Sequence, residues 1–165
     1  MTTKKMVQIG MLVAVAFVLG YVEALIPISL GVPGVKLGLP NLVVVLCLYE
    51  CTLSQTVGVS LARVVLTGLT FGNLSMMLYS LAGSVLSLAA MFLLKKTGKF
   101  SVYGVSIAGG VSHNIGQILV AMTVLQTGLL VYYFPFLLAA GCLAGAAIGV
   151  AGGMLAKRLH GVFGE

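Results

Sequence analysis

Apolar residues fill six stretches of the chain, 7–26, 41–52, 54–71, 74–94, 102–125 and 134–159, and polar positions gather in the short intervals between them. Runs of about 20 apolar residues suit helices crossing a hydrocarbon core about 30 Å thick. The pattern predicts an all-α integral membrane protein, six transmembrane helices forming one domain over 1–165. The second stretch is short for a crossing, and the turn at 52–54 has no Gly, Pro or basic residue to mark it.

The first interval is unlike the others. Residues 28–41 read Ile-Ser-Leu-Gly-Val-Pro-Gly-Val-Lys-Leu-Gly-Leu-Pro-Asn. Pro33, Pro40 and the glycines at 31, 34 and 38 oppose a regular helix. Ile28, Leu30, Val32, Val35, Leu37 and Leu39 make the segment too apolar for a solvated linker. It is expected to fold back on the neighbouring helices as the lid or wall of a small-molecule site, with Lys36 as its fixed charge.

Composition fits the same class. The chain is 60% hydrophobic and 7% charged, against about 25% charged in soluble domains. Its formal charge of +6 does not point to nucleic acid, because basic residues of membrane proteins collect on the cytoplasmic side. Six spans with the N-terminus inside place Lys4, Lys5, Lys95, Lys96, Lys99, Lys157 and Arg158 all in the cytoplasm. The expected location is the cytoplasmic membrane, with both termini inside. The first helix follows two lysines like a signal peptide, but its apolar run is too long, so it is expected to stay uncleaved. Cys47, Cys51 and Cys142 lie in apolar runs without His or Asp at ligand spacing and read as small buried hydrophobes.

Small residues mark helix contacts. Gly10, Ala14, Ala16 and Gly20 give the first span two small-xxx-small pairs. Gly141, Gly145, Gly149 and Gly153 recur every four residues on the last span, a face able to dock another helix in this chain or in a partner. Tyr132, Tyr133 and Phe134 suit an interfacial aromatic belt.

Few residues can carry chemistry. Glu23, Glu50 and Glu165 are the only acids, and aspartate is absent. That excludes sites built on clustered carboxylates and divalent metal. No phosphate loop is present, so the chain cannot energise itself with ATP. An ionised Arg63 near the middle of the third span costs at least about 2.5 kcal/mol on insertion scales and needs a partner. Glu23 is preferred and Glu50 is the alternative. The pair either holds helices in register or serves a substrate. His113 and Gln117 lie one helical turn apart with Asn114 beside them, and intramembrane polar groups of this kind tend to mark sites or pathways. No cofactor is expected, and the absence of paired His or clustered Cys disfavours a redox subunit.

Three segments together carry a resemblance: Pro33-Gly-Val-Lys-Leu-Gly-Leu-Pro-Asn41, Leu-Ala-Arg63-Val-Val-Leu-Thr-Gly, and Gly110-Val-Ser-His-Asn-Ile-Gly-Gln117. Over nearly its whole length the chain resembles the family labelled Gx transporter, or heptaprenyl diphosphate synthase component I. That family is similar in architecture to the substrate-binding S-components of energy-coupling factor transporters. The resemblance implies a six-helix capture protein whose first loop, with Lys36, is a lid. It also implies a coupling protein and ATPase subunits as partners, with Ala16 and Gly20 on the coupling face. Gly20 departs from the usual Ala-xxx-Ala form, and no vitamin signature is matched.

The leading expectation is therefore a non-enzymatic substrate-binding subunit of an uptake system. Lys36, Arg63, His113, Asn114, Gln117 and Glu23 would bind a small anionic or polar-headed molecule, and Ala16, Gly20, Gly141, Gly145 and Gly149 would contact partners. The alternative is a non-catalytic membrane accessory to polyprenyl diphosphate or quinone synthesis. Without aspartate the chain cannot supply the Asp-rich magnesium site of trans-prenyl chain elongation.

Overall fold

The computed structural model describes residues 3–26 and 38–159. Six α-helices follow one another: α1 Thr3–Leu25, α2 Asn41–Glu50, α3 Leu53–Phe71, α4 Leu74–Thr97, α5 Val102–Val124 and α6 Phe134–Leu159. A 3-10 segment, Gly128–Tyr133, leads into α6. No strand occurs among the described residues. Helix starts follow local chemistry. The side chains of Thr52, Asn73 and Ser101 accept from backbone N–H groups at the heads of α3, α4 and α5. Thr52 and Gln55 form a reciprocal capping box, which sets the turn between α2 and α3.

Among the described residues, four stretches are long and apolar enough to cross a membrane: Thr3–Leu25, Leu74–Thr97, Val102–Val124 and Gly128–Leu159. Their outward faces are apolar. Leu93, Phe136 and Leu143 are each more than 60% exposed, an arrangement that water would penalise and lipid accepts. At 19 residues, α3 is about 28 Å long, but Thr56, Ser60, Arg63, Thr67 and Thr70 interrupt its apolar character.

The second stretch departs from the expected full span. α2 has 10 residues, about 15 Å, half the thickness of a bilayer core. It is also buried on nearly all sides: Val43, Val44, Val45, Leu46, Cys47 and Leu48 each expose 6% or less. A helix apolar all round belongs inside a protein. Its two surrounding clusters are distinct. Val43, Leu46 and Cys47 pack with Leu12, Ala16 and Val59, while Val44, Val45 and Leu48 pack with Leu88, Met91, Val105 and Ile148. α2 is thus a buried half-length helix surrounded by the longer ones.

One end of the bundle gathers basic residues. Lys5 shares a cleft with Glu50, Cys51 and Gln55. Lys95 Nζ donates to the Leu48 carbonyl at the end of α2 and sits 4.8 Å above the Tyr49 ring. Gly153 lies against Val102 and Tyr103, and Leu159 packs against the cluster that contains Leu12, Leu46 and Cys47. These contacts gather the start of α1, the ends of α2, α4 and α6, and the start of α5 at one end. Lys4, Lys5, Lys95, Lys96, Lys99, Lys157 and Arg158 therefore share that end of the molecule.

Two seams of small residues bring α4, α5 and α6 close together. A Cβ added at Gly116 would lie 2.8 Å from Gly83 Cα, and one at Gly145 would lie 2.7 Å from Ile107 Cα. Glycine is required at both, because the obstacle is backbone. The same geometry corrects the expectation of a partner face on α6. Gly141, Gly145 and Gly149 are buried against α5, next to Val111, Ile107 and Tyr103, and are not open to another chain. Ala16 and Gly20 are likewise buried. Ala16 sits in the α1–α2–α3 core, and Gly20 faces Thr67 Cγ2, 2.5 Å from a built Cβ.

Candidate polar cavity at the head of the half-length helix

The head of α2 is built unusually. Pro40 stands at its N-cap with no side-chain hydrogen bond and has no N–H to give. The preceding turn is closed by Asn41 N–H to the Gly38 carbonyl, 2.8 Å. Gly38 has φ +85°, a conformation that glycine adopts without strain. The donors that this turn leaves over, Gly38 N–H and Leu39 N–H, both point to Glu23 Oε1 of α1, at 2.5 and 3.3 Å. A carboxylate from a neighbouring helix thus caps α2, where the helix dipole favours negative charge.

Arg63 lies beside this cap, 4% exposed. Its Nη2 donates to Ser84 Oγ at 2.8 Å and to Asn41 Oδ1 at 3.4 Å. Asn41 Nδ2 passes the network on to Ser87 Oγ at 3.3 Å. Glu23 and Arg63 line the same cavity, which places the preferred charge partner beside Arg63. Glu50 instead lines the cleft at the basic end with Lys5.

A small cavity of about 20 Å³ occupies the junction, lined by Gly20, Glu23, Gly38, Pro40, Arg63, Thr67, Ser80, His113 and Gln117. A space of that size accommodates roughly one water. Its polar lining is incompletely satisfied. Arg63 Nε, His113 Nδ1 and both amide atoms of Gln117 are buried without a hydrogen-bond partner among the described residues. Each such atom costs about 1–3 kcal/mol, which a folded protein rarely leaves uncompensated. His113 closes the cavity against α2, with its Nε2 3.9 Å from a Cβ built on Gly38.

Glu23, Arg63, His113 and Gln117 are therefore brought together from α1, α3 and α5. Asn114 is not. One residue on from His113, it is rotated about 100° around the helix, and its Nδ2 donates to the Leu137 carbonyl of α6 at 2.7 Å. It holds two helices and does not line the cavity. Lys36 lies outside the described residues. Asn41, Thr67, Ser80 and Ser84 were not expected at the site. Ser80, Ser84 and Ser87 recur at i, i+4 and i+7, a polar stripe of helical period within an uncharged span, and this was the readable signal for α4. Among the described residues no group of His, Cys, Asp or Glu could hold a metal ion.

The fold and the cavity define a class: an all-helical protein with apolar membrane-length helices around a small buried polar site. Within that class, the model of the family called heptaprenyl diphosphate synthase component I matches residues 12–155, and the chain belongs to that family. No curated protein and no solved structure matches the chain.

Proposed function

We propose that this chain is the ligand-binding membrane subunit of a small-molecule uptake system and is not an enzyme by itself. One observation carries the reading: Arg63, His113 and Gln117 are buried and line one cavity at the head of α2, and Arg63 and Gln117 each keep polar atoms without a partner among the described residues. In a membrane protein such groups tend to mark a substrate pathway or site. Half-length helices whose ends face a buried site are a recurrent device for holding polar substrates in lipid. Basic residues favour the cytoplasmic side, so the seven at one end orient both termini inward. The cavity, near the opposite end of α1 and α3, then receives its ligand from outside. Movement across the membrane needs ATPase-bearing partner chains, because the sequence has no nucleotide-binding loop of its own. Their contact surface lies elsewhere than Ala16, Gly20 or the α6 glycines, which the bundle itself covers.

The family name favours a second reading, a non-catalytic membrane accessory to a polyprenyl diphosphate synthase. Affinity purification from native membranes under gentle detergent distinguishes the two. A membrane coupling protein with ATPases supports uptake, and a soluble Asp-rich synthase supports the accessory role and contradicts uptake.

A further inference from the structure

We propose that the cavity takes its ligand by a carboxylate group, and that Glu23 holds the position this carboxylate would take. The inference deepens the binding-subunit reading and rests on it. Its first support is the incumbent. One oxygen of Glu23 accepts from both Gly38 N–H and Leu39 N–H at the start of a ten-residue helix, a backbone arrangement that receives anions generally.

The second support is independent of the helix terminus. Beside the cap, Arg63 is 4% exposed and Gln117 fully buried. Both line the cavity, and each has an N–H donor without a partner among the described residues, Arg63 Nε and Gln117 Nε2. A planar pair of anionic oxygens matches two such donors, and charge-assisted bonds of this type are the stronger ones. Gln117 Oε1 remains as an acceptor for a hydroxyl or N–H elsewhere on the ligand. A carboxylate entering the cavity therefore competes with Glu23 for the head of α2, and ligand binding loosens the tie between α1 and the Gly38–Leu39 turn.

The test uses the full chain in nanodiscs and measures the unfolding temperature at constant ionic strength. Acetate is the probe, and acetamide, methylammonium and inorganic phosphate are the comparisons. Specific binding to the folded protein raises the unfolding temperature. Acetate is expected to stabilise Glu23→Ala and Glu23→Gln more than wild type. Losing one charged competitor should lower the apparent Kd about tenfold. Adding Gln117→Leu to Glu23→Gln should reduce the acetate shift. Glu23→Gln keeps a neutral acceptor at Gly38 and Leu39, so it serves should Glu23→Ala fail to fold. Equal shifts with acetamide, a shift with phosphate alone, or no acetate shift in Glu23→Gln would each overturn the assignment. A neutral or cationic molecule co-extracted with wild type would overturn it and leave the binding-subunit reading standing. Acetate-specific stabilisation in a protein that co-purifies only with a synthase would support the carboxylate site and overturn uptake.

Discussion

Glu23 of α1 and Gly38 at the head of α2 are joined by a hydrogen bond from backbone to carboxylate, with Gly38 at a positive φ of 85°. The link spans 15 positions of sequence and fixes where the half-length helix begins. Gly38→Ala would put a side chain into a conformation that costs about 1–3 kcal/mol, while its Cβ would meet His113 only at ordinary contact distance. Chemical unfolding in detergent should show a loss in that range. An unchanged midpoint would mean that the turn is not held as described.

Arg63 and Glu23 are buried charges on different helices and line one cavity. Removing one partner of a buried pair typically costs about 3–5 kcal/mol, because the other charge is left uncompensated. Arg63→Gln and Glu23→Gln should each destabilise strongly, and the double variant should lose much less than the sum of the two. Additive losses in the double-mutant cycle would show that the two charges are not coupled.

The α5–α6 seam gives a contrast between two glycines. Gly145→Ala would drive a Cβ into the Ile107 backbone and should lower stability by about 1–3 kcal/mol, the usual range for overpacking. Gly10 has nothing within 4 Å of a built Cβ, so Gly10→Ala should stabilise α1 by up to about 1 kcal/mol through helix propensity. Equal effects in a thermal unfolding assay would return the α6 glycines to the surface.

Charge segregation makes a topological prediction. Lys99→Cys and Lys157→Cys, each placed in a background lacking native cysteines, should react with an impermeant maleimide from one side of sealed vesicles only, and from the same side. Labelling from opposite sides would break the shared basic end.

Much of this fold was legible in the sequence, and the exceptions have physical causes. Helix limits were readable because apolar runs end at strong local signals: Asn73 before α4, Ser101 before α5, and Gly98 after α4 at a left-handed φ of 67°. The turn between α2 and α3, at Thr52–Ser54, carries no Gly, Pro or charge, and its mark is of another kind. Thr52-x-x-Gln55 is a capping box and names the turn. The burial of α2 was not readable, since a short apolar run looks alike facing lipid or facing protein. Arg63, Glu23, His113 and Gln117 could be found as costly polar residues in apolar spans. Asn114 adjoins His113 in sequence, but neighbours on a helix face different ways. The glycine stripe on α6 showed that some helix docks there, and its spacing does not say whose. Only the backbone of α5, packed against Gly141 and Gly145, decides it.

If this chain is a binding subunit as proposed, Arg63, His113 and Gln117 are kept in the bundle to grip a small molecule. Mass spectrometry of low-mass compounds released from protein purified in mild detergent tests it directly, comparing wild type with His113→Leu/Gln117→Leu at matched folded fraction. The expected result is one compound present near stoichiometry in wild type and depleted at least about tenfold in the variant, the loss of one to two charge-assisted hydrogen bonds. Identical profiles from the two proteins, or no compound in either, would contradict the account.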